Sequence, residues 1–303
     1  MNQTDATTAQ SSHPSDARPA EASGTFLIGG DISVRRLGFG TMRLTGQGIW
    51  GEPADRSEAI AVLKRAVELG INLIDTADSY GPEVAERLIA EALHPYPADL
   101  LIATKAGFQR PRPNKWVEDG RPEHLRSAVE GSLRRLRLSR IDLLQLHRID
   151  PKVAMEDQIG ALVDLQRQGK IRHIGLSAVN VDQIQAVRRV TPVVSVQNRY
   201  NLVDRSSEDV LDYCTQENLG FIPFFPLAVG ELAKQAGPLT RAAKRLNAQP
   251  AQVALAWLLR KSPVVLPIPG TSKISHLEEN AAAALINLDD STVEELDRLG
   301  AVH

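Results

Sequence analysis

Three apolar runs in the sequence end abruptly in side chains that can carry charge. INLID closes on Asp75, LLIATK on Lys105 and IDLLQLH on His147, and the first continues as TADSYG, placing Tyr80 five residues beyond Asp75. A single charged residue where a strand meets a loop is usually just the start of solvated chain. Three in succession, with a phenol beside one of them, suit a definite reaction: donation of a proton to a carbonyl oxygen that gains negative charge as hydride reaches the carbon. A free tyrosine, with a pKa of about 10, is a slow acid, and an ammonium such as Lys105 favours the phenolate and draws that pKa toward the working range. The ammonium itself needs a partner when desolvated, which Asp75 provides. His147 can donate a hydrogen bond to the substrate oxygen and orient it.

Such residues need a scaffold that brings strand ends together. From residue 36 onward short apolar runs alternate with amphipathic segments: LGFGTM (37–42), INLID (71–75), LLIATK (100–105), IDLLQLH (141–147), IRHIGLS (171–177), VVSVQN (193–198), GFIPFFP (220–226) and VVLPIPG (264–270). Eight runs separated by helix signals in 303 residues predict an α/β fold, a (β/α)8 TIM barrel, whose catalytic groups sit at the C-terminal strand ends; an open doubly wound sheet is the alternative. Asp55 and Glu58 form a capping-box pattern, Gly70 and Gly169 end helices, Asn180 can cap a helix, and Pro250 suits a first turn. Two extra helices are expected at 275–285 and 291–299. Gly29, Gly30 and Asp31 between short apolar stretches predict a β-hairpin within 25–38 that closes the barrel bottom. Residues 1–24, rich in Ser, Thr, Ala and Pro, are read as a disordered tail, and 25–303 as one barrel domain.

Composition narrows the partners. A formal net charge of -2 and 24% charged residues give no footing for nucleic acid, and no apolar run approaches the roughly 18 residues of a membrane span. The start of the chain lacks the basic and apolar regions of a secretion signal, so a cytoplasmic protein acting on a small molecule is expected. Cys214, the lone cysteine, falls in an apolar stripe with Val210 and Leu211 and reads as core. The histidines are scattered without ligand spacing, so no metal site is expected; His94 and His124 read as surface residues and Trp257 as core packing. Nothing in the sequence sets an oligomeric state.

Taken together, GFGTMRL, DTADSYGPEVAE, IATKAG, LLQLHRID, GLSAVN, VQNRYN, PLAVG and PIPGTSKISHLEEN closely resemble the aldo-keto reductase superfamily, in that family's order and across residues 33–300. The likeness is to bacterial members with a short C-terminal loop. It implies that Asp75, Tyr80, Lys105 and His147 form the catalytic tetrad. It also implies a nicotinamide cofactor extended across the barrel mouth without a Rossmann domain, in keeping with the absence of a GxGxxG after a strand. By motif, Gly40, Thr41 and Met42 line the nicotinamide region with Asp75, Ser177 and Gln197 bind the carboxamide, and Phe224 stacks on the ring ahead of Pro226, Leu227 and Gly230. Gly270, Thr271, Ser272, Lys273, His276, Glu279 and Asn280 then serve the adenosine end. Ser272 and Lys273 favour NADPH over NADH. The sequence departs from the family at Ala178, where Asn is common, at Gly270, where Lys is common, and at His276, where Arg is common.

The expected substrate is a small aldehyde or ketone in a fairly open pocket, because the sequence stops soon after its last helix. Trp50 and Trp116, on loops after the first and third strands, are candidate pocket walls together with Tyr80 and His147; Arg148 and Asp150, which follow His147, are further candidates for the same mouth. Two alternatives stand beside an NADPH-dependent carbonyl reductase. A Schiff-base lyase would use Lys105 as nucleophile, although Asp75 would keep it protonated. A nicotinamide-nucleotide-sensing regulatory protein would bind cofactor with weak turnover.

Overall fold

Seven parallel strands curl into a ring that an eighth, sparsely paired segment closes. The computed structural model describes residues 18–227 and 237–300. In chain order the strands are β1 (Thr25–Ile28), β2 (Ile32–Arg35), β3 (Phe39–Gly40), β4 (Leu73–Asp75), β5 (Leu101–Ala106), β6 (Phe108–Arg112), β7 (Lys115–Glu118), β8 (Ile141–Leu146), β9 (Ile171–Ser177), β10 (Ser195–Arg199) and β11 (Gly220–Phe224). The large sheet runs β3-β4-β5-β8-β9-β10-β11, parallel throughout. Residues 264–268 bridge its two edges. Phe221 N donates to Val264 O at 2.8 Å and Leu266 N to Phe221 O at 2.8 Å, while Gly38 N donates to Pro267 O at 2.9 Å on the other side. Pro267 and Pro269 have no N–H to give, which explains why the eighth run pairs without forming a regular strand.

Helices alternate with these strands, and Leu143, Ile174, Val196 and Phe221 are buried with the apolar faces of the helices around them. Several helix signals act as expected. Asn180 and Gln183 form a reciprocal capping box, Pro250 opens the helix Pro250–Lys261, and Gly70 lies at φ +89° after Arg56–Glu68. Asp55 caps half of its box by accepting from Glu58 N at 2.9 Å; the Glu58 carboxylate turns instead to Lys273 Nζ at 2.5 Å. Two helices after the last run, Ile274–Ala282 and Asp290–Asp297, match the expected pair. Trp257 and Cys214 are both fully buried, and burial pushes the Cys214 thiol up to about 12.

The β1–β2 hairpin crosses the N-terminal ends of the barrel strands. Asn72 Oδ1 accepts from Arg35 N at 2.7 Å just before β4, and the His173 ring of β9 lies 2.7 Å from Asp31 Oδ1. Gly29, at φ +63°, leaves room for that ring, since a Cβ there would stand 2.4 Å from His173 Cε1.

Two expectations need correction. The tail reading fails for residues 18–24, because Pro19–Ser23 form a 3-10 turn with Ala20 fully buried, and Ser23 Oγ accepts from Leu37 N at 3.1 Å. Residues 1–17 lie outside the described residues. The segment holding Trp116 is a hairpin, β6 with β7, and not a loop.

Candidate active site

The parallel register delivers the candidate residues to one end of the ring. Asp75 is the last residue of β4, Lys105 the penultimate residue of β5, and His147 follows β8 directly, its N–H donating to Ala106 O at 2.8 Å. Ser177 ends β9 opposite Gln197 of β10, and Lys105 lies opposite Gln145 of β8.

Lys105 and Asp75 form a solvent-free ion pair, 0% and 2% exposed, with 2.5 Å between Nζ and Oδ1. The ammonium also donates to Thr76 O at 2.9 Å and to the Tyr80 hydroxyl at 3.4 Å, which uses all three of its protons. Asp75 Oδ2 accepts from Gln145 Nε2 at 3.0 Å and Gln197 Nε2 at 2.9 Å. A buried pair is tolerable when its remaining donors and acceptors are satisfied, as these are.

Electrostatics assign the protons. Burial penalises the Lys105 charge most, but Asp75 and Tyr80 together outweigh it and hold the ammonium above its usual 10.5. Burial, and then the positive charges of Lys105, Arg148 and Arg110, drive His147 well below 6.5, so its imidazole is neutral near pH 7. For Tyr80, burial raises the phenol and Lys105 pulls it back, leaving it above 10.0. Lys105 does lower the phenol as expected, but desolvation of the phenolate is the larger effect in this wall, so the net shift is upward.

A cavity of about 540 Å³ opens over these groups. Aromatic rings meet His147 edge to face, with Phe108 at 4.7 Å, Tyr80 at 6.1 Å and Trp116 at 6.2 Å between ring centres. Trp116 borders the cavity as expected, but Trp50 does not; it packs outside against Arg110, 5.6 Å from the ring centre. Arg110 sits 3.7 Å over Trp116 and donates to three backbone carbonyls: Ser79 at 2.8 Å, Gly48 at 3.2 Å and Lys115 at 3.2 Å. It thus joins the β6–β7 hairpin to the Tyr80 loop.

Gly40, Met42, Ser177, Gln197, Phe224, Pro226, Leu227 and Gly270 border the same cavity. Gly40 and Gly270 meet backbone to backbone, since a Cβ on Gly270 would stand 2.5 Å from Gly40 O. A lysine, common at this point in the family, could not enter without moving that strand. Thr41 lies behind the wall and donates to Asp75 O at 3.0 Å. Ala178, exposed after Ser177, takes φ +52°, a conformation that Asn tolerates better than Ala.

The Thr271–Asn280 stretch does not border the cavity. Thr271 Oγ1 accepts from Lys273 N at 3.1 Å, Lys273 is ion-paired with Glu58, and Glu279 O accepts from Gln252 Nε2 at 2.9 Å. Asn280 is buried, while Ser272 and His276 are exposed. Gly230 lies outside the described residues.

Gln145, Phe108, Phe225, Arg110 and Asp78 belong to this neighbourhood and were not singled out from sequence. Gln145 did leave a signal, a polar residue two positions before His147 inside an apolar strand. Asp78 is buried with Oδ1 lacking a hydrogen-bond partner, and burial, followed by the charge of Glu86, raises its carboxyl to about 8. His124, expected at the surface, is partly buried and lies 3.6 Å from Asp119. Among the described residues no group of three or more His, Cys, Asp and Glu could hold a metal, and no helix is long and apolar enough to cross a membrane.

Residues 36–301 match the model of the Aldo/keto reductase family. An uncharacterized oxidoreductase of Schizosaccharomyces pombe is 53% identical over 94% of this chain and 93% of its own length. Pyridoxine 4-dehydrogenase of Escherichia coli is 41% identical over 91% of this chain and 98% of its own. A crystal structure of an aldo-keto reductase from Klebsiella pneumoniae in complex with NADPH superimposes with a TM-score of 0.78 at 28% identity, covering 91% of this chain and 94% of that one.

Proposed function

The chain belongs to the aldo/keto reductase family, a family of oxidoreductases, and from that premise we propose that it is an NADPH-dependent enzyme reducing small aldehydes or ketones to alcohols, with Tyr80 as proton donor. The observation that carries this reading is the Tyr80 hydroxyl, 3.4 Å from the Lys105 ammonium in the wall of a cavity that it shares with a neutral His147.

The chain's residues fit a nicotinamide nucleotide. Gly40 and Gly270 give a floor without side chains, Phe224 offers a ring face, and Ser177 and Gln197 offer polar atoms to a carboxamide. Gln197 would use Oε1, because its Nε2 already serves Asp75. The NADPH in the Klebsiella structure, with Ser272 and Lys273 near the expected adenosine end, favours NADPH over NADH. Lys273 would have to leave Glu58 to meet a 2′-phosphate.

Bound here, NADPH supplies the hydride. Tyr80 gives its hydroxyl proton to the carbonyl oxygen, and Lys105 offsets the negative charge left on the phenolate. Asp75, with Gln145 and Gln197 behind it, holds Lys105 in place. Neutral His147 keeps one N–H to donate to the same oxygen; the Nε2–H tautomer would do so while Nδ1 accepts from Ser79 Oγ, 3.4 Å away. Phe108 and Trp116 give the wall apolar surface, which lowers the local dielectric and strengthens these interactions. They also suit a flat substrate, and the relative named for pyridoxine makes pyridine-type aromatic aldehydes a natural first choice.

The test is fluorescence titration with NADPH and NADH, followed by an aldehyde panel monitored through nicotinamide absorbance. Tight NADPH binding with turnover is expected. Binding with no turnover on any aldehyde would favour a nucleotide sensor, and failure to bind either nucleotide would overturn the proposal.

A further inference from the structure

Arg148 follows His147 and brings a guanidinium to the border of the same cavity. Its Nη1 donates to His147 O at 2.6 Å and to Ser177 Oγ at 3.0 Å, and its central carbon lies 5.6 Å from the Phe108 ring centre and 5.8 Å from that of Phe224. Nε and Nη2 donate to no described residue, and no carboxylate of a described residue lies at ion-pair distance.

The neighbouring charges leave Arg148 uncompensated. Asp75 is held by Lys105, Gln145 and Gln197. Asp150, two residues along, is turned away, its carboxylate accepting from Gly120 N at 3.1 Å and Lys152 N at 2.9 Å. Glu118 on β7 acts on Arg148 at long range without pairing, and Arg110 adds a second positive charge. An arginine remains charged even where burial lowers its pKa. A cation resting between aromatic faces with half its fork unused is costly to desolvate unless an anion arrives.

We propose that the substrate class is a carbonyl compound bearing a carboxylate, which pairs with Nε and Nη2 of Arg148 while the carbonyl faces Tyr80 and His147. This rests on the reductase reading. The carboxylate is a handle and does not react: hydride goes to the carbonyl carbon, the Tyr80 proton goes to its oxygen, and the acid leaves as a hydroxy acid. A single fork beside these rings fits a planar carboxylate, and Phe108 and Trp116, which the cofactor reading leaves free, fit an aromatic or short chain.

The experiment compares kcat/KM for the meta and para isomers of formylbenzoate, each against its neutral methyl ester, in wild type, Arg148→Gln and Arg148→Lys. At least one acid should be preferred over its ester by about tenfold or more in wild type, with that ratio lost in R148Q mainly through KM and partly kept in R148K. A wild-type preference for both esters, or a ratio unchanged in R148Q, would overturn the proposal. A second reading is independent of turnover: benzoate should quench the tryptophan fluorescence of the wild-type protein, less so at high salt and not in R148Q, while benzamide should not. If neither substrate class is turned over, the reductase reading fails; benzoate binding would still support the anion site, and its absence would sink it.

Discussion

The Lys105 ammonium stands 2.5 Å from Asp75 Oδ1 where solvent does not reach, so each charge is the other's main compensation. Lys105→Met should leave a buried carboxylate held by two amides alone and lower the unfolding free energy by about 3–5 kcal/mol. Adding Asp75→Asn should recover much of that loss without restoring turnover. Urea denaturation of both variants checks this, and a single variant as stable as wild type would contradict it.

Tyr80→Phe removes a proton donor and little packing. We expect kcat to fall by roughly 10²–10⁴ while the NADPH dissociation constant stays within about threefold of wild type. Burial holds the phenol protonated above 10.0, and the imidazole of His147 titrates well below 6.5. The kcat/KM of the wild-type enzyme for a neutral aldehyde should therefore be flat between about pH 7 and about pH 9. An inflection near neutrality would show that one of these protons is wrongly assigned.

Asp78 gives a pH signature in stability. Its folded-state carboxyl titrates at about 8 against an ordinary 3.8, so the folded protein binds the extra proton between those values. Stability from this group is complete below its unfolded pKa and is lost as pH rises toward the folded one. Asp78→Asn, which mimics the protonated form, should match wild type at about pH 4 and exceed it increasingly up to about pH 9. Thermal midpoints across that range decide it; a constant difference between the two proteins would exclude the assignment.

Arg110→Met should loosen the β6–β7 hairpin, since three carbonyls lose one shared donor. A stability loss of about 2–4 kcal/mol is expected, with KM for aldehydes raised and NADPH affinity little changed. Hydrogen exchange should show faster opening in residues 108–118. Intact hairpin protection in the variant would mean that Trp116 is positioned by other contacts.

Much of this arrangement was legible in the sequence because the strands are buried on both faces. Any polar residue that interrupts or ends such a run stands out, as Asp75, Lys105 and His147 do. The β6–β7 hairpin was not legible: FQRPRPNKWVE carries two prolines and three cations, and it is tied down by Arg110 reaching carbonyls on two distant loops. Proline likewise hid how thinly the eighth run pairs. The direction of the Tyr80 shift could not be read from neighbouring charges alone, because it depends on how deeply the wall buries the phenol.

The contact between Gly40 and Gly270 joins the first and last turns of the ring, residues that every intervening βα unit separates along the chain. A nucleotide resting on that seam would bind no partial barrel, whether a nascent chain or a fragment lacking the closing run. Its affinity for the finished ring would then appear as added resistance to unfolding, with ring closure as the step that a cell's nucleotide pool could pull forward.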